Sequence, residues 1–254
     1  PGVYYGVSYD KTGKKMFTST VIPNRGAWLE YETDPNDIFY VRIDKNRKMP
    51  VTTLIRALGL GTDQEIIDFF GDDERMLATI GRDSAKTTDA ALLEVYRKLR
   101  PGEPPTVESS QAHIDGLFFD ARRYDLSRVG RYKYNKKLAI SARINGKTLA
   151  EPVVDPLTGE LLADAGAILK KEDAQAIERA GVDVVWLDVD GARVKVVSNG
   201  MVSLTDFIDV EDPLALGINE KVRFSVLREI LEATEDHEER LAMIAKRVDD
   251  LIPK

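Results

Sequence analysis

Arg100-Pro101-Gly102-Glu103-Pro104-Pro105-Thr106 and, further on, Arg122-Arg123-Tyr124-Asp125-Leu126-Ser127-Arg128-Val129-Gly130-Arg131-Tyr132-Lys133-Tyr134-Asn135-Lys136-Lys137 bracket the stretch around which this chain is organised. Pro101 and the Pro104-Pro105 pair forbid a helix from continuing, because proline has no N–H and restricts its predecessor. The apolar stripe Ala91, Leu92, Val95, Tyr96 and Leu99 therefore predicts a helix over 87–99 that delivers Arg100 to its end, and a second helix resumes over 107–119. From Arg122 to Lys137 seven Lys or Arg face one acid, Asp125, a local charge of +6 in a chain of net charge −7. Cations neutralise phosphates, and the interleaved Tyr124, Tyr132 and Tyr134 offer faces on which bases stack. The same run also reads as a solvated helix face. Since the overall acidic balance repels phosphate, only this band argues for a nucleic-acid partner.

Upstream, Val3 to Tyr9 and Lys14 to Ile22 flank the turn signal Asp10-Lys11-Thr12-Gly13 and predict a hairpin. Ala27 to Thr33 alternates as a strand does, with Ala27, Leu29 and Tyr31 on one face and Trp28, Glu30 and Glu32 on the other. After Asp34-Pro35-Asn36-Asp37, a partner strand points Phe39, Val41 and Ile43 inward and Tyr40, Arg42 and Asp44 outward. Trp28 thus falls on the wet face near Arg42, Asp44 and the basic loop Lys45-Asn46-Arg47-Lys48. There it can stack on an unpaired base while cations hold phosphate, or it can pack on the domain's own surface.

Met49-Pro50 opens a helical stretch with Val51, Leu54, Ile55 and Leu58 at helical spacing. Gly59-Leu60-Gly61 follows a helix rather than a strand, with Gln64 where a third glycine would be, so it is a helix stop and no dinucleotide fingerprint. Thr62-Asp63-Gln64-Glu65 is a capping box. Asp72, Asp73 and Glu74 point in different directions on a helix and suit its N-terminus better than a metal. Downstream, Ile140 to Ile144 and Thr148 to Val154 read as a hairpin across a type I′ Asn145-Gly146 turn. A short helix over 172–180 precedes a hairpin of Val182 to Leu187 with Arg193 to Ser198; Asp188 and Asp190 belong to its tip and lack the rest of a calcium loop. Asn219 is expected to cap a helix over 220–232, and another runs over 238–252.

At 254 residues, 43% hydrophobic and 31% charged, the chain reads as one large or two small globular domains. No apolar run reaches a membrane span and no secretory leader is visible. Without cysteine there are no disulfides or thiolate metal sites, which fits a reducing, cytoplasmic setting. His113 and His237 lie far apart and make no dyad or metal site. The acids fall in turns and helix ends, which disfavours a carboxylate-based hydrolase. A start at Pro1 without Met reads as a piece cut from a longer chain.

The motif Arg100-Pro101-Gly102-Glu103-Pro104-Pro105-Thr106, followed by Leu117-Phe118-Phe119, Arg123-Tyr124-Asp125-Leu126-Ser127 and Val129-Gly130-Arg131, closely resembles the β subunit of bacterial RNA polymerase. Pro1-Gly2-Val3-Tyr4-Tyr5 and Arg25-Gly26-Ala27-Trp28-Leu29 resemble the same subunit a little upstream, and the region matched is its lobe, or β2. Asp155-Pro156-Leu157-Thr158-Gly159-Glu160-Leu161-Leu162-Ala163, with Gly166, Ala180-Gly181 and Val184, resembles the sandwich-barrel hybrid modules inserted here in low-GC Gram-positive relatives.

The resemblance implies an α+β fold with a lobe over 1–138, a β-rich insert over 139–216, and C-terminal helices over 217–254 that return to the lobe. It implies a wall of the DNA cleft that contacts downstream duplex and the non-template strand. Trp28 and Asp44 would then belong to the pocket called the core recognition element, completed by sequence outside 1–254. Arg25, Arg42, Arg47, Arg100 and Arg123 are the expected phosphate contacts. Nucleotidyl transfer would need Mg held by aspartates of the β′ subunit, so this chain is expected to carry no cofactor and to be inactive alone. The implied partners are DNA, the β′, α and ω subunits and σ, with no membrane. An alternative is a non-catalytic docking module that binds transcription factors or σ mainly through the insert.

Overall fold

Five antiparallel strands open the chain in sequential order: β1 (Gly2–Tyr9), β2 (Lys15–Ile22), β3 (Leu29–Thr33), β4 (Phe39–Ile43) and β5 (Met49–Pro50). The structure, a computed structural model, describes residues 1–252 and divides into two units, 1–131 and 132–254. The turn between β1 and β2 is closed by the Asp10 carboxylate, which accepts from the backbone N–H of Thr12 and of Lys14, both at 2.8 Å. Strand register follows the alternation of the sequence. Leu29 lies opposite Ile43 and Tyr31 opposite Val41, and Val41 and Ile43 are fully buried.

Helices α1 (Val51–Ala57), α2 (Asp63–Phe70), α3 (Glu74–Ile80), α4 (Thr88–Leu99) and α5 (Val107–Phe118) complete the first unit. Its core joins Ala27, Val41, Ile43 and Met49 of the sheet region to Leu54 and Ala57 of α1, Ala91, Leu92 and Val95 of α4, and Ile114 of α5. The Val, Leu, Ile and Met side chains among them each contribute about 1.5–3 kcal/mol by leaving water. Thr62 and Glu65 form the expected capping box, and Asp73 caps α3 by accepting from the N–H of Arg75. Met49–Pro50, read as opening the helix, instead form the last strand of the sheet, and Pro50 caps α1, which begins at Val51.

One core feature has no counterpart in the sequence pattern. Arg56 is wholly buried beside the equally buried carboxylate of Asp83, at 3.0 Å. Its other nitrogens reach the Gly61 carbonyl at 2.6 Å and the Asp63 carboxylate, while Thr52 and Thr53 donate to Asp83.

Helix α6 (Ser127–Leu138) carries the chain from the first unit into the second. The second unit contains α7 (Ile140–Ile144), β6 (Thr148–Leu149), β7 (Val153–Val154), β8 (Leu161–Ala163), α8 (Lys171–Arg179), β9 (Val184–Val189), β10 (Ala192–Val197), β11 (Met201–Val202), β12 (Val222–Arg223), α9 (Phe224–Ala233), α10 (His237–Lys246) and α11 (Val248–Leu251). Its strands pair as β10-β9-β6, β7-β8 and β11-β12. One core cluster draws on residues 140–187, around Ile140, Ile144, Leu149 and Ile177; a second draws on 202–251, around Val222, Phe224 and Ile230. The whole is the mixed α+β fold expected.

Three local readings are corrected here. Residues 140–144 form a helix rather than a strand. Ile140 and Ile144, one helical turn apart, are both buried, and the turn after them is type II. Asn145 takes φ −58°, ψ 130°, Gly146 takes φ 73°, and Lys147 N–H donates to the Ile144 carbonyl at 3.1 Å. Type I′ needs positive φ at both central residues, whereas type II needs it only at the glycine. The stretch 148–154 divides into two strands that pair with different partners, β6 with β9 and β7 with β8, around Pro152. In the C-terminal segment Arg223, not Asn219, precedes the first helical residue, because Val222–Arg223 pair with Met201–Val202; the last helix is interrupted at Arg247.

Candidate nucleic-acid interface

Trp28 sits where the chain enters β3. Ala27 beneath it is buried, while the indole is 45% exposed, as the alternation predicts. Across the ladder Glu30 faces Arg42, and the Trp28 carbonyl accepts from Asp44 N–H at 2.9 Å. Trp28 and Asp44 are therefore direct cross-strand neighbours at the sheet's rim. Arg42 lies two pairs further along, on the same face, and is partly engaged with Glu30, at 3.8 Å.

The turn that follows β4 is strained. Asp44 and Lys45 both adopt left-handed backbone conformations, φ 48° and 65°, and Asn46 N–H closes the turn onto the Ile43 carbonyl at 3.0 Å. Aspartate tolerates this region through its short polar side chain, but lysine does not favour it, and such residues cost on the order of 1–3 kcal/mol each. The result is a tight I′-type reversal that leaves Asp44, Lys45, Arg47 and Lys48 exposed, with Asp44 directly across from Trp28. Lys48 is tied back to Glu32 at 2.7 Å and lies 4.6 Å from the Tyr40 ring centre; Arg47 stands in solvent.

Arg25 is carried to the basic band by a backbone bridge. Asn24 and Arg25 N–H donate to the Asp125 carbonyl at 2.6 and 3.0 Å, Asp125 N–H returns to the Arg25 carbonyl at 2.9 Å, and the Arg25 guanidinium donates to the Arg122 carbonyl at 3.1 Å. Gly26 makes this approach possible. Its φ is 118°, and a β-carbon there would stand 2.7 Å from the Tyr124 ring and 3.1 Å from the Arg123 carbonyl. Tyr124, read in the sequence as a stacking face, is half-buried against this glycine and meets Phe118 edge-on at 6.2 Å. It is a packing residue.

Arg100 and Arg123 converge on α5. Arg100 caps α4 and pairs with Glu103 at 3.1 Å, and Tyr96 donates to the same carboxylate at 2.8 Å. The Tyr96 hydroxyl first, and then Arg100, hold Glu103 below its ordinary pKa. His113 is pushed below the usual imidazole range by burial and then by the Arg100 cation, with Arg123 adding to this and Glu103 opposing it. One turn along α5, Arg123 fills the space a side chain at Gly116 would need. Arg100, His113, Arg123 and Arg25 therefore follow one another in the first unit, while Trp28, Asp44, Arg42 and Arg47 gather at the sheet rim. Sequence reasoning places Lys45 in the basic loop and Arg122 in the basic band but chooses neither as an individual phosphate contact. The latter's presence in the basic band was its only signal. Among the described residues no group of three or more acids or histidines could hold a metal ion, and no helix is long and apolar enough to cross a membrane.

Comparison with known proteins bears on this geometry. The chain is 55% identical over 256 residues to the DNA-directed RNA polymerase subunit beta of Acetivibrio thermocellus, covering 100% of the chain and 20% of that protein. The subunit beta proteins of Clostridium novyi and Clostridium botulinum are each 54% identical, with the same coverage. The chain thus spans about a fifth of the length of these curated relatives. The family model described as RNA polymerase Rpb2, domain 2, matches residues 1–152. That match takes in more than half of the 254 residues, and the chain belongs to the RNA polymerase Rpb2 domain 2 family.

Proposed function

We propose that this chain is the lobe of a DNA-directed RNA polymerase β subunit, forming one wall of the DNA cleft and touching downstream duplex and the non-template strand. In this reading residues 1–138 are the lobe proper, 139–216 an insert, and 217–254 its returning helices. Trp28 stacks on an unpaired base and Asp44 accepts from a base edge. Arg25, Arg47, Arg100 and Arg123 hold phosphates, with Arg42 shared between Glu30 and the strand. Catalysis belongs to another subunit of an assembly containing β′, α, ω and σ.

The observation that carries the reading is the exposed indole beside the left-handed Asp44-Lys45 pair. A backbone strained to present one carboxylate and several cations next to a stacking face suits a strand with splayed bases. The test uses polymerase reassembled with the full-length β subunit and DNA carrying a pre-melted bubble. Trp28→Ala is expected to weaken bubble binding by about 1–3 kcal/mol while sparing duplex. Arg47→Ala is expected to lower the slope of log K against log salt by about 0.7–0.9. Unchanged affinity and slope in both variants would leave the lobe a scaffold.

A further inference from the structure

The outer end of α5 carries a second exposed ring. Phe118 turns inward to Tyr124, but Phe119, at the helix C-cap, is 68% exposed. The chain then reverses tightly. Phe119 and Asp120 N–H both donate to the Asp115 carbonyl, and Arg123 and Tyr124 N–H both donate to the Asp120 carbonyl, all at 2.9 Å. Phe119, Arg122 and Arg123 thus project from a single turn whose backbone is held at both ends.

The charge on that turn is unbalanced. Asp120 receives two nitrogens of Arg122, each at 3.1 Å, and lies 3.9 Å from Arg123. Arg25 reaches the same turn through the Arg122 carbonyl. Two guanidinium groups share the Asp120 carboxylate, and the third, Arg25, is held on the turn by a backbone carbonyl with no carboxylate of its own among the described residues. Asp120 orients the Arg122 fork through Nε and Nη2 yet leaves the side chain 89% exposed, with Nη1 facing no partner among the described residues and open to a further anion. Holding these like charges together takes the Arg25–Asp125 backbone bridge and the positive φ of Gly26.

We propose that Phe119 is a stacking contact for an unpaired base, with Arg122 and Arg25 holding the adjoining phosphate. It forms a second single-strand contact besides Trp28. The inference rests on the nucleic-acid reading above and adds to it the state of the ligand at this turn. In duplex the bases are stacked on one another and offer only phosphates and groove edges, for which cations suffice; an exposed phenyl ring has a partner only where bases are splayed. A protein covering Phe119 would instead have to bring acids to balance the surplus guanidinium charge.

The test places benzoylphenylalanine at position 119, and separately at 28, in the full-length β subunit of reassembled polymerase bound to DNA with a pre-melted bubble. Position 119 is expected to crosslink to the unpaired strand. Phe119→Ala is expected to speed dissociation of the bubble complex roughly 5- to 150-fold, with Phe119→Trp restoring it and fully paired DNA unaffected, as one lost stacking contact requires. Crosslinking of position 28 to DNA while 119 reaches only protein or duplex overturns this inference and leaves the parent reading standing. If neither position reaches DNA, both fall.

Discussion

Replacing Arg56 with methionine removes a buried cation and leaves its partner behind. Arg56 has no solvent exposure, and neither does the Asp83 side chain 3.0 Å away. After the substitution the Asp83 carboxylate keeps only the hydroxyls of Thr52, at 2.5 Å, and Thr53, at 3.4 Å, while the Gly61 carbonyl loses its donor. Breaking a buried pair from one side costs about 3–5 kcal/mol, chiefly because the remaining charge is uncompensated. That is a large share of the roughly 5–15 kcal/mol by which domains are stable. In the double variant Arg56→Met, Asp83→Leu no charge stays buried, so it is expected to recover most of the loss; replacing whole buried pairs by apolar groups is often neutral or stabilising. The assay is urea denaturation. The chain's two tryptophans fall one in each unit, so a Trp186→Phe background leaves Trp28 to report on the first unit alone. A midpoint shift at constant slope measures the change. If Arg56→Met costs less than about 1 kcal/mol, or the double variant is as unstable as the sum of the single ones, the uncompensated-charge argument is wrong.

Two further outcomes test the local geometry. Gly26→Ala keeps every cation yet forces a left-handed, clashing position, and is expected to destabilise the first unit by about 1–3 kcal/mol and to weaken nucleic-acid binding together with it; an alanine variant with wild-type urea midpoint and binding would refute the close approach to Tyr124. In the second unit, burial raises the Glu178 pKa, but hydrogen bonds from Lys221 at 2.6 Å and from Ser141 more than reverse this, and the carboxyl is held below its ordinary value. A folded-state pKa below the unfolded one contributes stability that is full above about pH 4.3 and is lost as the pH falls through the folded value. Glu178→Gln should therefore flatten the acid limb of unfolding followed by Trp186, and an unaltered limb would remove the ion pair from the account.

What could be read in advance was whatever repeats or is governed by neighbours in sequence. The stripe of α4, the capping box at Thr62 and the outward Trp28 each depend on residues within a few positions, and each is found as expected. The helix at 140–144 was missed because Asn-Gly suits more than one turn, and the choice of type II comes from the helical turn it must follow. Arg56 was invisible for a different reason. An arginine inside a helical apolar stretch looks like a solvated position, and it is the buried Asp83, twenty-seven residues away, together with the Gly61 carbonyl and Asp63, that makes its burial tolerable.

The interface divides along the same line. Its cations were legible as a charge run, since counting needs no geometry, but their arrangement depends on two backbone conformations that composition does not encode. Gly26 at φ 118° lets Arg25 meet Arg122 across the Asp125 bridge, and the Asp44-Lys45 reversal sets a carboxylate against an indole. A solvated helix face would need neither device, because isolated surface charges gain almost nothing from being gathered. Of the five left-handed non-glycine residues, Asp44 and Lys45 stand at the rim with Trp28, and on the proposed reading it is the meeting of that reversal with an exposed ring, more than the number of positive residues, that would separate a binding surface from a merely basic one.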